Sequence, residues 1–154
     1  MTLEEVTTLA GIEASDVLNL RADVFTMTAA ARTAVLTPKD TGAFSPSRRA
    51  ALAARITRLN GKEDLSDHYG RGMNADDASI ADPAFDGGAD AELAAILAFT
   101  DRIAASPKDA TGDDIESLKQ AGLAEADIVR LTQLNAFLAY EIRLIEGLSL
   151  MGAA

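Results

Sequence analysis

SPSRRAALAARITRLNGKEDLSDHY, residues 45–69, starts and stops a helix twice. Ser45 before Pro46 supplies a side-chain cap and a first-turn proline whose missing N–H would have no helical partner anyway. Leu52, Ile56 and Leu59 then recur at steps of three and four, the spacing of one helical face. Asn60-Gly61 interrupts that pattern, which restarts near Glu63 with Leu65, Tyr69 and Met73. The spacing predicts a central helical pair over 46–59 and 62–79.

The same period extends in both directions. Upstream, Thr2 is placed to cap a short helix closed by Gly11, and Ser15 to cap a longer one whose Val17, Leu20, Val24, Met27, Ala31 and Val35 share a face. Residues 37–47, TPKDTGAFSPS, form a connection, because Pro38, Gly42 and Pro46 punctuate small polar residues. Downstream, the acidic, glycine-containing stretch 74–88 reads as a flexible surface loop with solvated Asp76, Asp77, Asp82 and Asp86.

Asp90 caps DAELAAILAFTDRIAAS, with Leu93, Ile96, Leu97 and Ile103 on one side. Thr111 and Asp114 open a helix that carries Ile115 and Leu118 and ends at Gly122. The final segment, AEADIVRLTQLNAFLAYEIRLIEGLSLM, has the longest apolar period, through Ile128, Leu131, Leu134, Phe137, Leu138, Ile142 and Ile145. A helix spanning about 128–148 is expected there, and it should be the most buried. Strand-like alternation is absent, so the fold class is all-α: a single domain over residues 1–154, its core about 46–148, preceded by amino-terminal helices over 1–37.

Composition narrows the function classes. A net charge of −10 repels phosphate backbones and anionic lipid, so nucleic acid and membrane are not expected partners. The first residues carry acids where a secretory signal needs bases, which favours a cytoplasmic location. No cysteine is present, which excludes thiol and disulfide chemistry. One histidine and an acidic stretch without calcium-loop spacing give no expected metal site, and no cofactor motif appears.

The S-x-x-R-R start, the apolar helix, Leu59-Asn60-Gly61, the acidic stretch and His68-Tyr69 resemble the carboxymuconolactone decarboxylase and alkylhydroperoxidase (AhpD-like) superfamily. ELAAILAFTDRIAASPKDAT and IVRLTQLNAFLAYEIRLIEGL are similar to its peroxidase-related branch, and the opening VTTLAGIEASDVLNLRADV to a cysteine-free subgroup. About two thirds of the chain takes part. The resemblance implies a compact bundle of six or seven helices that associates as a homo-oligomer. Cysteine-bearing members start the helix after Asn-Gly with Cys-x-x-Cys, served by a relay His and a relay Glu. Here the cysteine positions are Lys62 and Leu65, the relay His is Tyr69 and the relay Glu is Ala50. The implied function is a peroxidase-silent structural or binding subunit, with a cysteine-bearing relative as a candidate companion. Retained binding of a hydroperoxide or organic ligand without its reduction is a further reading.

His68 is the one side chain that ordinarily titrates near neutrality, so any acid-base role falls to it first, with Asp64 or Asp67 available to orient the ring. The plainer reading of His68 is a surface or interface residue. Decarboxylases of the superfamily lack the cysteine pair and use no cofactor. A lactone or small carbonyl acid could therefore be served by His68 and Tyr69 with Arg55, Arg58 or Arg71. Arg48, Arg49, Arg55 and Arg58 at helical spacing read more simply as a charged outer face. Arg143 and Tyr140 match the Tyr and Arg of a family Asn-Tyr-x-x-Arg stretch whose Asn is Ala139. For Arg143 an ion pair between helices or subunits is favoured over a pocket anion. With no thiolate available, the purified metal-free polypeptide should not consume an alkyl hydroperoxide with any thiol donor. Loss of peroxide absorbance above a protein-free control would reverse that expectation.

Overall fold

The computed structural model describes residues 3–12 and 21–152, and among them the chain forms seven α-helices, two 3-10 helices and no strand. We number the α-helices α1 (Leu3–Ala10), α2 (Ala22–Leu36), α3 (Pro46–Leu59), α4 (Glu63–Gly70), α5 (Ala91–Ala105), α6 (Gly112–Gln120) and α7 (Glu125–Gly152). The 3-10 helices are Ala75–Ala81 and Pro107–Asp109. The expected roles of Thr2, Ser15, Val17 and Leu20 lie outside the described residues.

Local capping chemistry sets the boundaries. Ser45 Oγ accepts from the Arg48 N–H at 3.1 Å with Pro46 in the first turn, and Asp90 Oδ1 accepts from the Leu93 N–H at 3.0 Å. Thr111 and Asp114 form a reciprocal capping box. Gly61 and Gly122 take positive φ of 69° and 105° after α3 and α6, a conformation that side chains with a Cβ resist. The α4 helix stops at Gly70 rather than near 79, so the second half of the central pair is shorter than its pattern suggested.

Helix α3 is the hub. Its residues 49–57 are all buried, and it packs against α4, the first 3-10 helix, α5 and α7. In α7, Ile128, Leu131, Leu134, Phe137, Leu138, Ile142 and Ile145 all enter the apolar core, as their spacing predicts. In α2 the inward face is Phe25 and Thr28, while Met27 stays 61% exposed and Ala31 exposed. The expected stripe is therefore only partly inward: Met27 and Ala31 face out, while Val35 packs against the core. Its contacts with α7 include a polar one, the Thr28 and Tyr140 hydroxyls 2.7 Å apart.

Two of the four arginines expected on an outer face are in the core: Arg49 is 2% and Arg55 1% exposed. Each guanidinium is surrounded by oxygen acceptors. Arg49 donates to the carbonyls of Val35, Thr41 and Phe44, all at 2.9 Å, fastening the 37–45 connection to α3. Arg55 makes a two-pronged pair with Asp101 of α5, at 2.5 and 2.7 Å. It also donates to the carbonyls of Ile80, Asp82, Pro83 and Phe85.

The stretch 74–88 is consequently held, not a loose loop. Asp77, expected in solvent, is buried and accepts from Ser47 Oγ at 2.5 Å, while Ile80 and Ala81 sit in the core. Arg55→Ala strips donors from four carbonyls and leaves Asp101 unpaired. It should lower unfolding stability by about 3 kcal/mol, read as a fall in urea midpoint. A change within experimental error would show that the 80–85 segment is held by other contacts.

Candidate functional site

His68 and Tyr69 are adjacent on α4 but have different surroundings. Tyr69 is 3% exposed and turns toward α7, while His68 is half-buried. Arg32 of α2 links them. Its Nη2 lies 2.7 Å from His68 Nε2, its Nε donates to the Tyr69 hydroxyl at 3.4 Å, and its guanidinium carbon stands 5.0 Å from the Tyr69 ring centre. The Tyr69 hydroxyl in turn donates to Glu141 Oε2 of α7. Glu141 is fully buried, and its Oε1 has no hydrogen bond but faces Arg32 Nε at 3.6 Å.

The order of donors follows from chemistry. A guanidinium can only donate, so His68 Nε2 must be the acceptor and the neutral ring carries its proton on Nδ1. Burial first, and then the Arg32 charge, push the His68 pKa below its ordinary value. Burial also raises the Glu141 pKa, against the opposing pull of Tyr69 and Arg32. Tyr69 is raised by its burial and by the Glu141 charge.

The cluster forms part of the wall of an open cleft of about 270 Å³, lined by Arg32, His68 and Tyr69 with Leu36, Pro46 and Ala50. The four positions that would carry the family redox apparatus do not share it. Ala50 and Tyr69 line this cleft, whereas Lys62 and Leu65 line a separate cavity of about 340 Å³ with Ile142, Ile145 and Glu146. Lys62 pairs there with Glu146.

Other candidates are dispersed. Arg55 is committed to its loop and Asp101, and Arg58 pairs with Glu63 at 3.3 Å and donates to the Ala81 carbonyl. Arg71 lines a third cavity with Glu4, Glu5, Asp64 and Asp67, which His68 also borders. Asp64 and Asp67 make no hydrogen bond to His68; the ring contact is Arg32 at Nε2. Arg143 is exposed and donates to the Ala139 carbonyl at 2.6 Å, so the favoured ion pair does not form within the described residues. Those residues also hold no group of three His, Asp or Glu disposed around a metal position.

Arg32 and Glu141 are the site residues that the sequence reading missed. Glu141 lies three residues after Leu138 and four before Ile145, within the apolar stripe of α7. A carboxylate there requires a donor, and that requirement was the available signal. Comparison with protein-family models, curated proteins and solved structures finds no match. The superfamily resemblance therefore rests on the quoted residues.

The depressed His68 pKa has a sign. The unfolded chain takes up the His68 proton near pH 6.5, and the folded chain only at lower pH. This contribution is fully present above about pH 6.5 and is lost as pH falls toward the depressed folded value. Melting temperature should therefore fall less on acidification from pH 7 to 5 in His68→Gln than in the unmodified protein. Equal slopes would show that the ring titrates as it does in solvent.

Proposed function

We propose that this chain is a member of the carboxymuconolactone decarboxylase and alkylhydroperoxidase superfamily that has lost redox catalysis and serves as a structural or binding subunit. The observation that carries this reading is the occupied histidine. In a chain without cysteine, the His68 lone pair that could act as a base already accepts from Arg32. Freeing it means breaking a charge-assisted hydrogen bond and leaving Arg32 facing Glu141 and Tyr69 alone. The Tyr69 hydroxyl is committed to Glu141, so it is not free to steady a developing negative charge. These groups are engaged with one another, as in a structural network, with Glu141 Oε1 held only by the 3.6 Å approach of Arg32.

The second reading, a cofactor-free decarboxylase-type enzyme acting on a small lactone or carbonyl acid, is favoured by one observation. Arg32, His68 and Tyr69 border the same cleft. On that reading Arg32 would leave His68 to take the substrate carboxylate, and the released imidazole would move the proton.

A subunit role also requires a surface on which to assemble. Val129, Tyr140, Leu150 and Met151 on α7 are 56%, 43%, 67% and 60% exposed, which supports self-association or pairing with a cysteine-bearing relative. A cytoplasmic setting fits the acidic surface, and no helix among the described residues is long and apolar enough to cross a membrane.

The two readings separate on incubation with an unsaturated γ-lactone carboxylate, monitored for carbon dioxide release and lactone absorbance. The expected outcome is no turnover by either the unmodified protein or His68→Gln. Turnover that His68→Gln abolishes would replace the subunit reading with the enzymatic one.

A further inference from the structure

His68 stands between two cavities of opposite character. On one side it borders the cleft of about 270 Å³ together with Arg32, Thr33 and Leu36 of α2. On the other it borders a cavity of about 530 Å³ with Glu4, Glu5, Thr8 and Leu9 of α1, Asp64 and Asp67 of α4, and Arg71 just beyond α4. The ring therefore has a cation on its α2 side and, toward α1, four carboxylates against one arginine.

Only the neutral ring can keep its present contact. Nε2 accepts from Arg32 Nη2 at 2.7 Å, and a protonated imidazole has no lone pair left with which to accept. Protonation turns that hydrogen bond into two cations at contact distance. The same charge is favoured beside the carboxylates: Glu5 already pulls the ring toward its charged form, while Arg32 and Arg71 oppose it.

Arg32 also has a second place to go. His68 holds one of its N–H groups, while the buried Glu141 Oε1, which has no hydrogen bond, lies 3.6 Å from Nε. Released from His68, the guanidinium can close on that oxygen and replace a loose approach with a direct ion pair. Each partner of the present contact thus has an alternative that the contact itself withholds, which is the requirement for two discrete arrangements.

We propose that His68 is a proton-operated switch: neutral, it accepts from Arg32 and ties α4 to α2; protonated, it turns into the acidic cavity beside α1 while Arg32 closes on Glu141. The charged groups around the ring are Arg32 from α2, Glu4 and Glu5 from α1, and Asp64, Asp67 and Arg71 from α4 and its end, with Glu141 of α7 behind Arg32. One proton moves a contact from the α2–α4 seam to the α1–α4 seam and displaces the side chain common to the walls of both cavities. The switch operates whether the chain serves as a subunit or as an enzyme.

His68 is the sole histidine of the chain, so NMR of the full-length protein reads one set of imidazole resonances. At pH 7 the nitrogen shifts should show Nδ1 protonated and Nε2 bare. As pH falls through the ring's midpoint, its cross-relaxation should pass from Thr33 and Leu36 to Thr8 and Leu9. The Arg32 Nε proton should move downfield with the same midpoint. In Asp64→Asn/Asp67→Asn, two exposed changes on α4, that midpoint should shift to lower pH. In His68→Gln the Arg32 transition should be lost.

The proposal is overturned by a proton on Nε2 at pH 7, by ring contacts that stay the same across the midpoint, or by an unchanged midpoint in the Asn variant. An Arg32 transition that persists in His68→Gln would assign the titration to Glu141 and overturn it equally. The tautomer and the ring contacts are read on the unmodified protein, so they decide the matter even where a variant fails to fold.

Discussion

Two buried guanidinium groups on one helix organise the connections of this protein. A helix supplies its own backbone hydrogen bonds, but an irregular segment must find partners for its carbonyls elsewhere. Arg49 and Arg55 bring that supply into the core: Arg49 gathers three carbonyls from the 35–44 region, and Arg55 four from 80–85. Both segments are thereby drawn onto α3. Arg49 has its pKa lowered, chiefly by burial, yet its three carbonyl contacts keep the cation satisfied without a direct carboxylate. Arg55 adds the Asp101 pair, which joins α5 to the same hub. The 37–45 connection and the 74–88 stretch are ordered for the same reason, although neither has the composition of a packed element.

The polar cluster between α2, α4 and α7 follows a related rule with a different outcome. Burying Glu141 is unfavourable, and Arg32 offsets this only in part because the closest approach to Oε1 is 3.6 Å. The Tyr69 hydroxyl provides the remaining help at Oε2. His68 then takes the outer N–H of Arg32, so four side chains from three helices form one connected set. Such a set fixes how α2 sits on α7, and Thr28 with Tyr140 repeats the effect about one turn earlier on α2.

What could be read from the sequence divides along the range of the interactions. Caps at Ser45, Asp90 and Thr111 and the positive-φ glycines after α3 and α6 depend on neighbours within a few residues, so they were legible. The α7 core was legible because its period holds over many turns. The arginines were misassigned because hydropathy patterning treats every charge as outward-facing. Arg49 is three residues before Leu52, and Arg55 lies three after Leu52 and four before Leu59, so both fall on the apolar stripe itself. On an alanine-rich helix buried all round, that position means a long polar side chain reaching into the interior. The α2 face was misread at Met27 and Ala31 for the complementary reason: its inward residues include Thr28 and Arg32, and an apolar period does not reveal positions held by hydrogen bonds. The candidate site inherited this gap, since His68 and Tyr69 are adjacent in sequence while Arg32 and Glu141 are joined to them only by packing.

The positive charges show how little of the molecule's cationic capacity reaches its surface. Arg21, Arg32, Arg48, Arg55, Arg58, Arg102 and Arg130 each face a carboxylate of this chain, and Arg49 is consumed by carbonyls. Arg71 stands in a cavity bordered by four acids. An approaching anion therefore meets an acidic field in which nearly every arginine is already compensated, and general electrostatic attraction cannot hold it. Selectivity among anionic ligands must come from a local uncompensated cation backed by apolar surface that removes the ligand's chain from water. The His68 cleft offers a cation shared with Glu141 and Tyr69, which lowers its capacity for a second anion.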